Sequence, residues 1–147
     1  MPKKNRLIIY ILSGFLFSLD QILKYLARTN PSTIFVWKKI IGWEYYENIG
    51  VAFNLPLPNS LVVFLTPIII FGMMAFFLKK KNNNFFNNLG AALIILGAIS
   101  NYIDRILFGV TIDYIRVFTS IINLADLMIV AGVILLILES RYLKPSP

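Results

Sequence analysis

The chain has no cysteine and no histidine among its 147 residues. Without cysteine it can form neither a disulfide nor a thiolate nucleophile, and without histidine it lacks the usual general base and the commonest metal ligand. A Ser-His-Asp or Cys-His mechanism within this chain is therefore excluded. We also expect no metal ion and no other cofactor.

Charged residues are scarce as well. Asp and Glu together number only 7, charged residues make up 14% of the chain, and 58% of the residues are hydrophobic. A soluble domain has about 25% charged residues and an apolar share of about half. These values, with a mean hydropathy of +0.75, predict an integral membrane protein.

Four apolar stretches are long enough to cross a bilayer, at residues 7–27, 61–78, 89–106 and 121–138. Each is close to the ~20 residues that a helix needs for this. We therefore predict an all-α membrane fold with four transmembrane helices, in a single integral-membrane domain of residues 1–147 with outer loops at 28–60 and 107–120. The first stretch resembles a signal peptide, but Asp20 and Lys24 and the lack of an A-x-A site predict that it stays uncleaved.

The basic residues predict the orientation of these helices. If four helices alternate, one side receives Lys3, Lys4, Arg6, Lys79, Lys80, Lys81, Arg141 and Lys144. The two longer connections on the other side carry Arg28, Lys38, Lys39, Arg105 and Arg116. Because short cytoplasmic loops are enriched in Lys and Arg, both termini should lie in the cytoplasm. Topology then accounts for the net charge of +7, and we expect no nucleic-acid partner.

The first outer loop is rich in β-branched and aromatic residues between positions 33 and 53, including Trp37, Trp43, Tyr45, Tyr46 and Phe53. Trp and Tyr favour the membrane–water interface. We therefore predict short strands at the outer membrane surface. Pro56 and Pro58 should end this region before the second span.

Four of the seven acidic residues lie in or beside the apolar stretches, namely Asp20, Asp104, Asp113 and Asp126. An ionisable residue within a membrane span is by default a functional-site hypothesis. From the helix rise, Asp20 should lie about 10 Å below the outer end of the first helix, and Asp126 about 7–8 Å below the start of the fourth. With Asn101 and Arg105 near the outer end of the third helix, this predicts one polar layer near the outer leaflet.

Spacing suggests local pairs within this layer. Asp20 and Lys24 are four residues apart and can neutralise each other on one helix face. That pair is as compatible with a purely structural role as with a functional one. Asp104 and Arg105 are best interpreted as an interfacial pair at a helix end, with Arg105 facing lipid phosphate.

Two further pairs have an amide three residues before a carboxylate, Asn101 with Asp104 and Asn123 with Asp126. An amide can donate a hydrogen bond to a carboxylate and orient it without adding charge. We therefore expect each amide to lie beside the carboxylate of its own pair.

Asp126 has no basic residue within four positions, and Asp113 in the preceding loop is its natural partner. Two ionised carboxylates ~4 Å apart at an effective dielectric of ~20 repel by ~4 kcal/mol, about three pKa units. One of them should therefore hold a proton at neutral pH, which gives an acid and a base in one site, as in aspartic proteases. The sequence does not decide which of the two aspartates holds the proton, because strongly interacting groups titrate as a pair.

Five motifs in order now resemble those of the lipoprotein signal peptidases, the bacterial type II signal peptidase family of membrane aspartic proteases. They are Asp20-Gln21-x-x-Lys24, Glu47-Asn48-Ile-Gly50-Val-Ala52-Phe53, Gly97-Ala-Ile-Ser-Asn101-Tyr-Ile-Asp104-Arg105, Gly109-Val-Thr-Ile-Asp113-Tyr-Ile and Asn123-Leu-Ala125-Asp126. Each motif alone is weak, but their order over nearly the whole chain is specific.

The resemblance implies that Asp113 and Asp126 are the catalytic pair. Positions that would shape or support the site are Asp20, Lys24, Asn48, Gly50, Asn101, Asp104, Arg105, Asn123 and Ala125. It further implies a small extracytoplasmic β-platform and a short amphipathic outer segment before Asp113. Substrates in this family are prolipoproteins that carry a diacylglyceryl group on a cysteine and are cut on its amino side.

Two asparagines of the motifs, Asn48 and Asn123, are expected to orient the peptide or its scissile carbonyl. Three positions depart from the family pattern, with Ser100 for a usual glycine, Tyr114 for phenylalanine and Ile122 for an aromatic residue. We interpret these as packing changes that affect substrate preference and not the chemistry.

Three other functions are weighed against this one. A small proton-coupled transporter would also need intramembrane acids, although near the midplane. A Ser-Lys protease would use Ser18 or Ser100 with Lys24 as base, and a scaffold without activity leaves Asp126 unexplained. The expected partners are lipid-modified prolipoproteins and membrane lipids in a bacterial cytoplasmic membrane, with a monomer favoured.

Overall fold

The computed structural model describes residues 1–38, 40–50, 57–79 and 84–142. Within them lie four long helices and four short strands, in the order α1 (Lys3–Thr29), β1 (Thr33–Trp37), β2 (Ile41–Asn48), α2 (Asn59–Lys79), α3 (Phe85–Phe108), β3 (Thr111–Val117), β4 (Ser120–Ile122) and α4 (Leu124–Tyr142). Residues named above that fall outside the described ranges are Lys39, Val51, Ala52, Phe53, Pro56, Lys80, Lys81 and Lys144, together with the side chain of Arg141.

Three helices in the described part of the chain are long and apolar enough to cross a membrane. They are α1, the Asn59–Phe77 part of α2, and α3. The helices α1, α2 and α3 each extend beyond the predicted apolar stretch at both ends. The membrane crossing of α4, a helix of 19 residues, stays a prediction.

The prediction that the fourth helix starts at residue 121 is wrong. Ile121 and Ile122 belong to β4, and α4 begins at Leu124. Asn123 caps it, because its Oδ1 accepts from the N–H of Asp126 at 2.8 Å while the Asp126 carboxylate accepts from the N–H of Asn123 at 3.3 Å. Asp126 therefore lies in the first turn, about 3 Å along the helix and not 7–8 Å.

The strands form one antiparallel sheet in the order β1-β2-β3-β4. The predicted β-structure in the first connection is confirmed, and the sheet draws also on the second connection. The predicted amphipathic segment before Asp113 is wrong, because α3 continues to Phe108 and β3 already starts at Thr111. Gly109 reverses the chain between them in the left-handed conformation, with φ 77°, and its N–H caps α3 on Arg105 O at 3.1 Å.

A small buried cluster joins the sheet to the end of α1. It consists of Ala27 from α1 and of Ile112 and Tyr114 from β3. The ring of Trp43 on β2 lies over Tyr114, with 5.0 Å between the ring centroids. Because Ile112 and Tyr114 flank Asp113 in sequence, this packing fixes the strand that carries that aspartate.

Glycines allow α3 and α4 to approach each other closely. A Cβ atom added to Gly97 would lie 2.7 Å from the carbonyl oxygen of Ala125, and one added to Gly132 would lie 2.5 Å from that of Gly90. Such distances are shorter than van der Waals contact, so a larger residue at either position must push the two helices apart. The close approach brings Asn101 of α3 within hydrogen-bond distance of Asp126 of α4, at 2.9 Å.

We predict that Gly97→Ala lowers the free energy of unfolding by about 1–3 kcal/mol, because overpacking displaces α4. The matched control is Gly14→Ala in α1, where nothing lies within 4 Å of the added Cβ. That variant should be neutral or more stable by about 0.5–1 kcal/mol, the helix preference of Ala over Gly. Chemical unfolding in detergent measures both, and equal behaviour of the two variants would contradict the packing described here.

Candidate active site

Asp113 lies on β3 where the sheet meets the helices, and its side chain is fully buried. Its two carboxyl oxygens accept from two amides, Oδ1 from Asn123 Nδ2 at 2.6 Å and Oδ2 from Asn48 Nδ2 at 2.9 Å. The β2–β3 register pairs Asn48 with Thr111, which makes Asn48 a diagonal neighbour of Asp113 on the same sheet face. The sheet register thus positions one of the two donors.

Asp126 lies in the first turn of α4 and is partly exposed. Its Oδ1 accepts from Asn101 Nδ2 at 2.9 Å, and its Oδ2 accepts from the backbone N–H of Asn123 at 3.3 Å. A carboxylate in the first turn is also stabilised by the positive end of the helix dipole. These contacts hold the Asp126 carboxyl group in a fixed orientation at the start of α4.

Asn123 contacts both aspartates. Its side-chain amide donates to Asp113 while its backbone N–H donates to Asp126. The same side chain donates to Asn101 Oδ1 at 3.0 Å. One residue therefore brings the two carboxyl groups into a common site, from a strand and a helix that follow each other in the chain.

Burial raises the pKa of Asp113 to about 7, and the negative charge of Asp126 acts in the same direction. The hydrogen bonds from Asn48 and Asn123 oppose this, because they favour the ionised form. The Asp113 carboxyl group can therefore carry a proton near neutral pH, unlike an ordinary aspartate. The site can supply a proton and accept one at the same pH.

Lys24 lies buried between two carboxylates. Its Nζ is 3.0 Å from Asp20 Oδ2 and 2.8 Å from Asp104 Oδ2, and it donates to Asn101 Oδ1 at 2.8 Å. The predicted Asp20–Lys24 pair is confirmed. The predicted Asp104–Arg105 pair is wrong, because consecutive helix residues do not face each other, and Asp104 instead faces Lys24.

Arg105 is also buried, with 6% of its surface exposed, so the expectation that it faces lipid phosphate is wrong. Its Nη1 donates to Asn59 Oδ1 at 3.3 Å, and its Nη2 donates to the carbonyl oxygen of Gly50. The N–H of Gly50 in turn donates to Asn48 Oδ1 at 2.9 Å. Arg105 therefore holds the turn that orients Asn48.

The two predicted amide–carboxylate pairs have different outcomes. Asn123 and Asp126 are hydrogen-bonded, although through backbone N–H groups. Asn101 and Asp104 are not paired in this way, because the Asn101 amide crosses to Asp126 on the neighbouring helix. The amides of Asn48 and Asn123 both donate to Asp113, so a contact of either with the peptide stays a prediction.

Asp20 and Ala125 link α1 to the start of α4. Asp20 is fully buried, and its Oδ1 accepts from the N–H of Ala125 at 3.1 Å. The same oxygen accepts from the hydroxyl of Tyr114 at 2.8 Å, and Oδ2 accepts from that of Ser100 at 2.5 Å. The interpretation of Ser100 and Tyr114 as packing changes missed these hydroxyls. A signal was present, since Ser100 precedes Asp104 by four residues and thus shares its helix face.

A cavity of about 590 Å³ lies at the other end of the helices, between α1, α2 and α3. Its described lining residues include Arg6, Tyr10, Phe77 and Asn88. None of its described lining residues belongs to the network around Asp113 and Asp126. The candidate site is thus defined by polar contacts and not by this cavity.

Buried acids held by amides, in a protein with apolar helices long enough to cross a membrane, are typical of a membrane enzyme. The chain belongs to the signal peptidase II family, because the family model described as "Signal peptidase (SPase) II" matches residues 12–142. This confirms the family predicted from the five motifs. The family also makes the chain a multi-pass bacterial membrane protein and a protease.

Individual relatives agree with this family. The chain is 34% identical over 132 residues to a lipoprotein signal peptidase of Caldanaerobacter subterraneus subsp. tengcongensis. This match covers 86% of the present chain and 90% of the relative. It is 29% identical over 142 residues to a lipoprotein signal peptidase of Streptococcus pneumoniae, and this match covers 92% of the present chain and 93% of the relative. A solved bacterial membrane enzyme is similar with a TM-score of 0.83 and 25% identity, over 95% of this chain and 93% of the other. The transporter alternative gains no support from these similarities.

Proposed function

We propose that this protein is a membrane aspartic endopeptidase that removes the signal peptide from diacylglyceryl-modified prolipoproteins, cutting on the amino side of the lipidated cysteine. One observation carries the proposal. Asp113 and Asp126 are hydrogen-bonded to the same residue, Asn123, at the junction of helices and sheet. Membership of the signal peptidase II family supports the same activity.

In the proposed reaction a water molecule between the two acids attacks the scissile carbonyl carbon. Ionised Asp126 accepts a proton from the water, and protonated Asp113 donates its proton to the carbonyl oxygen. When the tetrahedral intermediate collapses, Asp126 passes its proton to the departing cysteine nitrogen, and Asp113 recovers a proton from the hydroxyl group. The raised pKa of Asp113, about 7, supports the donor role of that residue.

The remaining predicted site residues hold the two acids in place, either by direct hydrogen bonds or through a neighbouring residue. Asn48 and Asn123 hold Asp113, while Asn101 holds Asp126. Two further groups support these amides. The first consists of the buried charges of Asp20, Lys24 and Asp104 together with the backbone N–H of Ala125. The second is the contact between Arg105 and the carbonyl oxygen of Gly50.

The position of the acids supports a lipid-anchored substrate. They lie at the ends of apolar helices, where a sheet begins, which is the geometry of a membrane boundary. A peptide bond must be brought to this depth, and acyl chains that stay in the bilayer place the attached backbone near the headgroups. We infer that this boundary is the outer leaflet, with α4 as the fourth span and both termini in the cytoplasm.

The contacts of Lys24 argue against a Ser-Lys protease. The Lys24 ammonium forms ion pairs with both Asp20 and Asp104, which leaves it without the free lone pair that a base needs. Ser100 is fully buried, and Ser18 donates to the carbonyl oxygen of Gly14. Ser100 is therefore not presented to a substrate, and exposed Ser18 has no hydrogen bond to Lys24 in the described part of the chain.

The test uses purified protein in lipid vesicles with one precursor in two forms, with and without the diacylglyceryl group on its cysteine. We expect cleavage on the amino side of the cysteine in the modified form only, read by mass spectrometry. Equal cleavage of both forms would contradict the lipid requirement. Proton-coupled substrate flux without any cleavage would instead establish the transporter.

The pH dependence of cleavage should reflect the pKa of Asp113. Because the proton donor is lost as the pH rises, kcat should fall as the pH rises through about 7. Asn48→Ala removes a hydrogen bond that favours ionised Asp113, so it should move this fall to higher pH by about one pH unit.

The matched control for this shift is Asn30→Ala, which changes an exposed asparagine after the end of α1. It should leave the pH–rate profile in place. A fall in kcat that stays at the wild-type pH in Asn48→Ala, or that moves to lower pH, would show that Asp113 is not the proton donor.

A further inference from the structure

Two hydroxyl groups converge on the buried carboxylate of Asp20. The hydroxyl of Tyr114, on β3, donates to Oδ1 at 2.8 Å, and that of Ser100, on α3, donates to Oδ2 at 2.5 Å. The other partners of this carboxylate are the N–H of Ala125 and the ammonium of Lys24. A fully buried carboxylate is stable only when such partners replace water, and half of those found here are hydroxyls.

Tyr114 connects the strand of one acid to the helix of the other. It directly follows Asp113 in sequence, and its hydroxyl oxygen accepts from the N–H of Leu124 at 3.1 Å. Through Asp20 the same hydroxyl is linked to the N–H of Ala125, beside Asp126. The first turn of α4 is thus attached twice to the strand residue that follows Asp113.

Ser100 acts on the other side of Asp20, through Lys24. Its Oγ accepts from Lys24 Nζ at 3.3 Å and from Gln21 Nε2 at 2.7 Å while it donates to Asp20. Lys24 also donates to Asn101 Oδ1 at 2.8 Å. Since an amide has one acceptor and one donor end, this contact turns the NH₂ group of Asn101 toward Asp126.

We propose that Ser100 and Tyr114 are positioning residues that hold Asp20 and Lys24 so that Asp126 keeps its place relative to Asp113. This inference rests on the proposed function, since it concerns the rate of that reaction. Ser100 lies on α3 and Tyr114 on β3, so two different elements hold Asp20 through their hydroxyl groups. Both hydroxyls act through Asp20, and in the described part of the chain neither forms a side-chain hydrogen bond with Asp113 or Asp126.

The test compares Tyr114→Phe and Ser100→Ala with the wild type. Each variant deletes one hydrogen bond to a charged group, and the loss of positioning should lower kcat by about 10-fold to 100-fold with KM within about twofold. Tyr114→Phe keeps the ring that packs on Trp43, so this variant should fold. Matched controls are Tyr45→Phe and Ser18→Ala, whose hydroxyls bond to exposed Glu47 and to Gly14 O, and which should keep wild-type kcat.

The split between kcat and KM separates positioning from a structural role, because a loss of folded protein lowers the active concentration and leaves kcat per folded molecule unchanged. The double variant should lose less than the product of the single losses, since both hydroxyls act through Asp20. Unchanged kcat, an effect on KM alone, or fully multiplicative losses would overturn the inference. If the wild type fails to cleave the lipidated precursor, the proposed function itself fails.

Discussion

Asp113→Asn and Asp126→Asn should each lower kcat for cleavage of the lipidated precursor by at least about 10³-fold. An amide at position 126 cannot accept a proton from the attacking water. An amide at position 113 cannot give a proton to the carbonyl oxygen. Because neither change removes binding surface, KM should move little, and single-turnover cleavage by purified protein measures the loss.

The matched control for these two variants is Glu47→Gln, which neutralises an exposed acid on β2 that bonds to Tyr45. It should retain wild-type turnover. Both aspartate variants should remain folded, as shown by cooperative thermal unfolding in detergent. Turnover near the wild-type value in either aspartate variant would remove that residue from the reaction.

The second large effect concerns the buried cation. Lys24→Met leaves Asp20 and Asp104 buried without their common counter-ion, and breaking a buried ion pair by removing one partner typically destabilises by about 3–5 kcal/mol. Asn101 also loses the donor that orients it, so cleavage should fall together with stability. Chemical unfolding in detergent measures the first effect.

Two further variants show whether this loss comes from uncompensated charge. Lys4→Met, at the exposed start of α1, should change stability by less than about 0.5 kcal/mol. The double variant Lys24→Met with Asp104→Asn removes one of the two stranded charges and should regain part of the lost stability. Equal free energies of unfolding for Lys24→Met and Lys4→Met would show that Lys24 does not neutralise the two buried carboxylates.

Part of the candidate site was predictable because some of its contacts are local in sequence. Asp20 and Lys24 share a helix face by their spacing alone, and the structure joins them at 3.0 Å. Acids in apolar helices are costly, so their presence by itself indicated function. Asp113 and Asp126 were paired by elimination, since no basic residue lies close to Asp126 in sequence.

The partners across helices were not predictable in the same way. Spacing tells which residues share a face, but it does not tell which neighbouring helix that face meets or how closely. The Asn101 amide was therefore expected at Asp104, whereas the close packing of α3 on α4 brings it to Asp126. The interaction of Asp104 with Lys24 was missed for the same reason.

The length of the fourth apolar stretch also misplaced the start of α4. Ile121 and Ile122 continue the apolar run of the fourth helix, but the strand pairing of β4 with β3 takes them into the sheet. The cap formed by Asn123 and Asp126 then starts α4 at Leu124. Hydrophobicity alone could not distinguish the partly buried strand β4 from the start of a helix. The capping residues Asn123 and Asp126 could have indicated the boundary, because they stand three residues apart in sequence.

The central claim is that Asp113 and Asp126 share one proton near neutral pH, and infrared difference spectroscopy between pH of about 5 and about 9 tests it most directly. The wild type should show one protonated carboxyl band that disappears with a midpoint near 7. The band should be missing in Asp113→Asn, and in Asp126→Asn its midpoint should lie at lower pH, because the neighbouring negative charge is gone. Cleavage by a wild-type protein in which no carboxyl group titrates over this range would contradict the account.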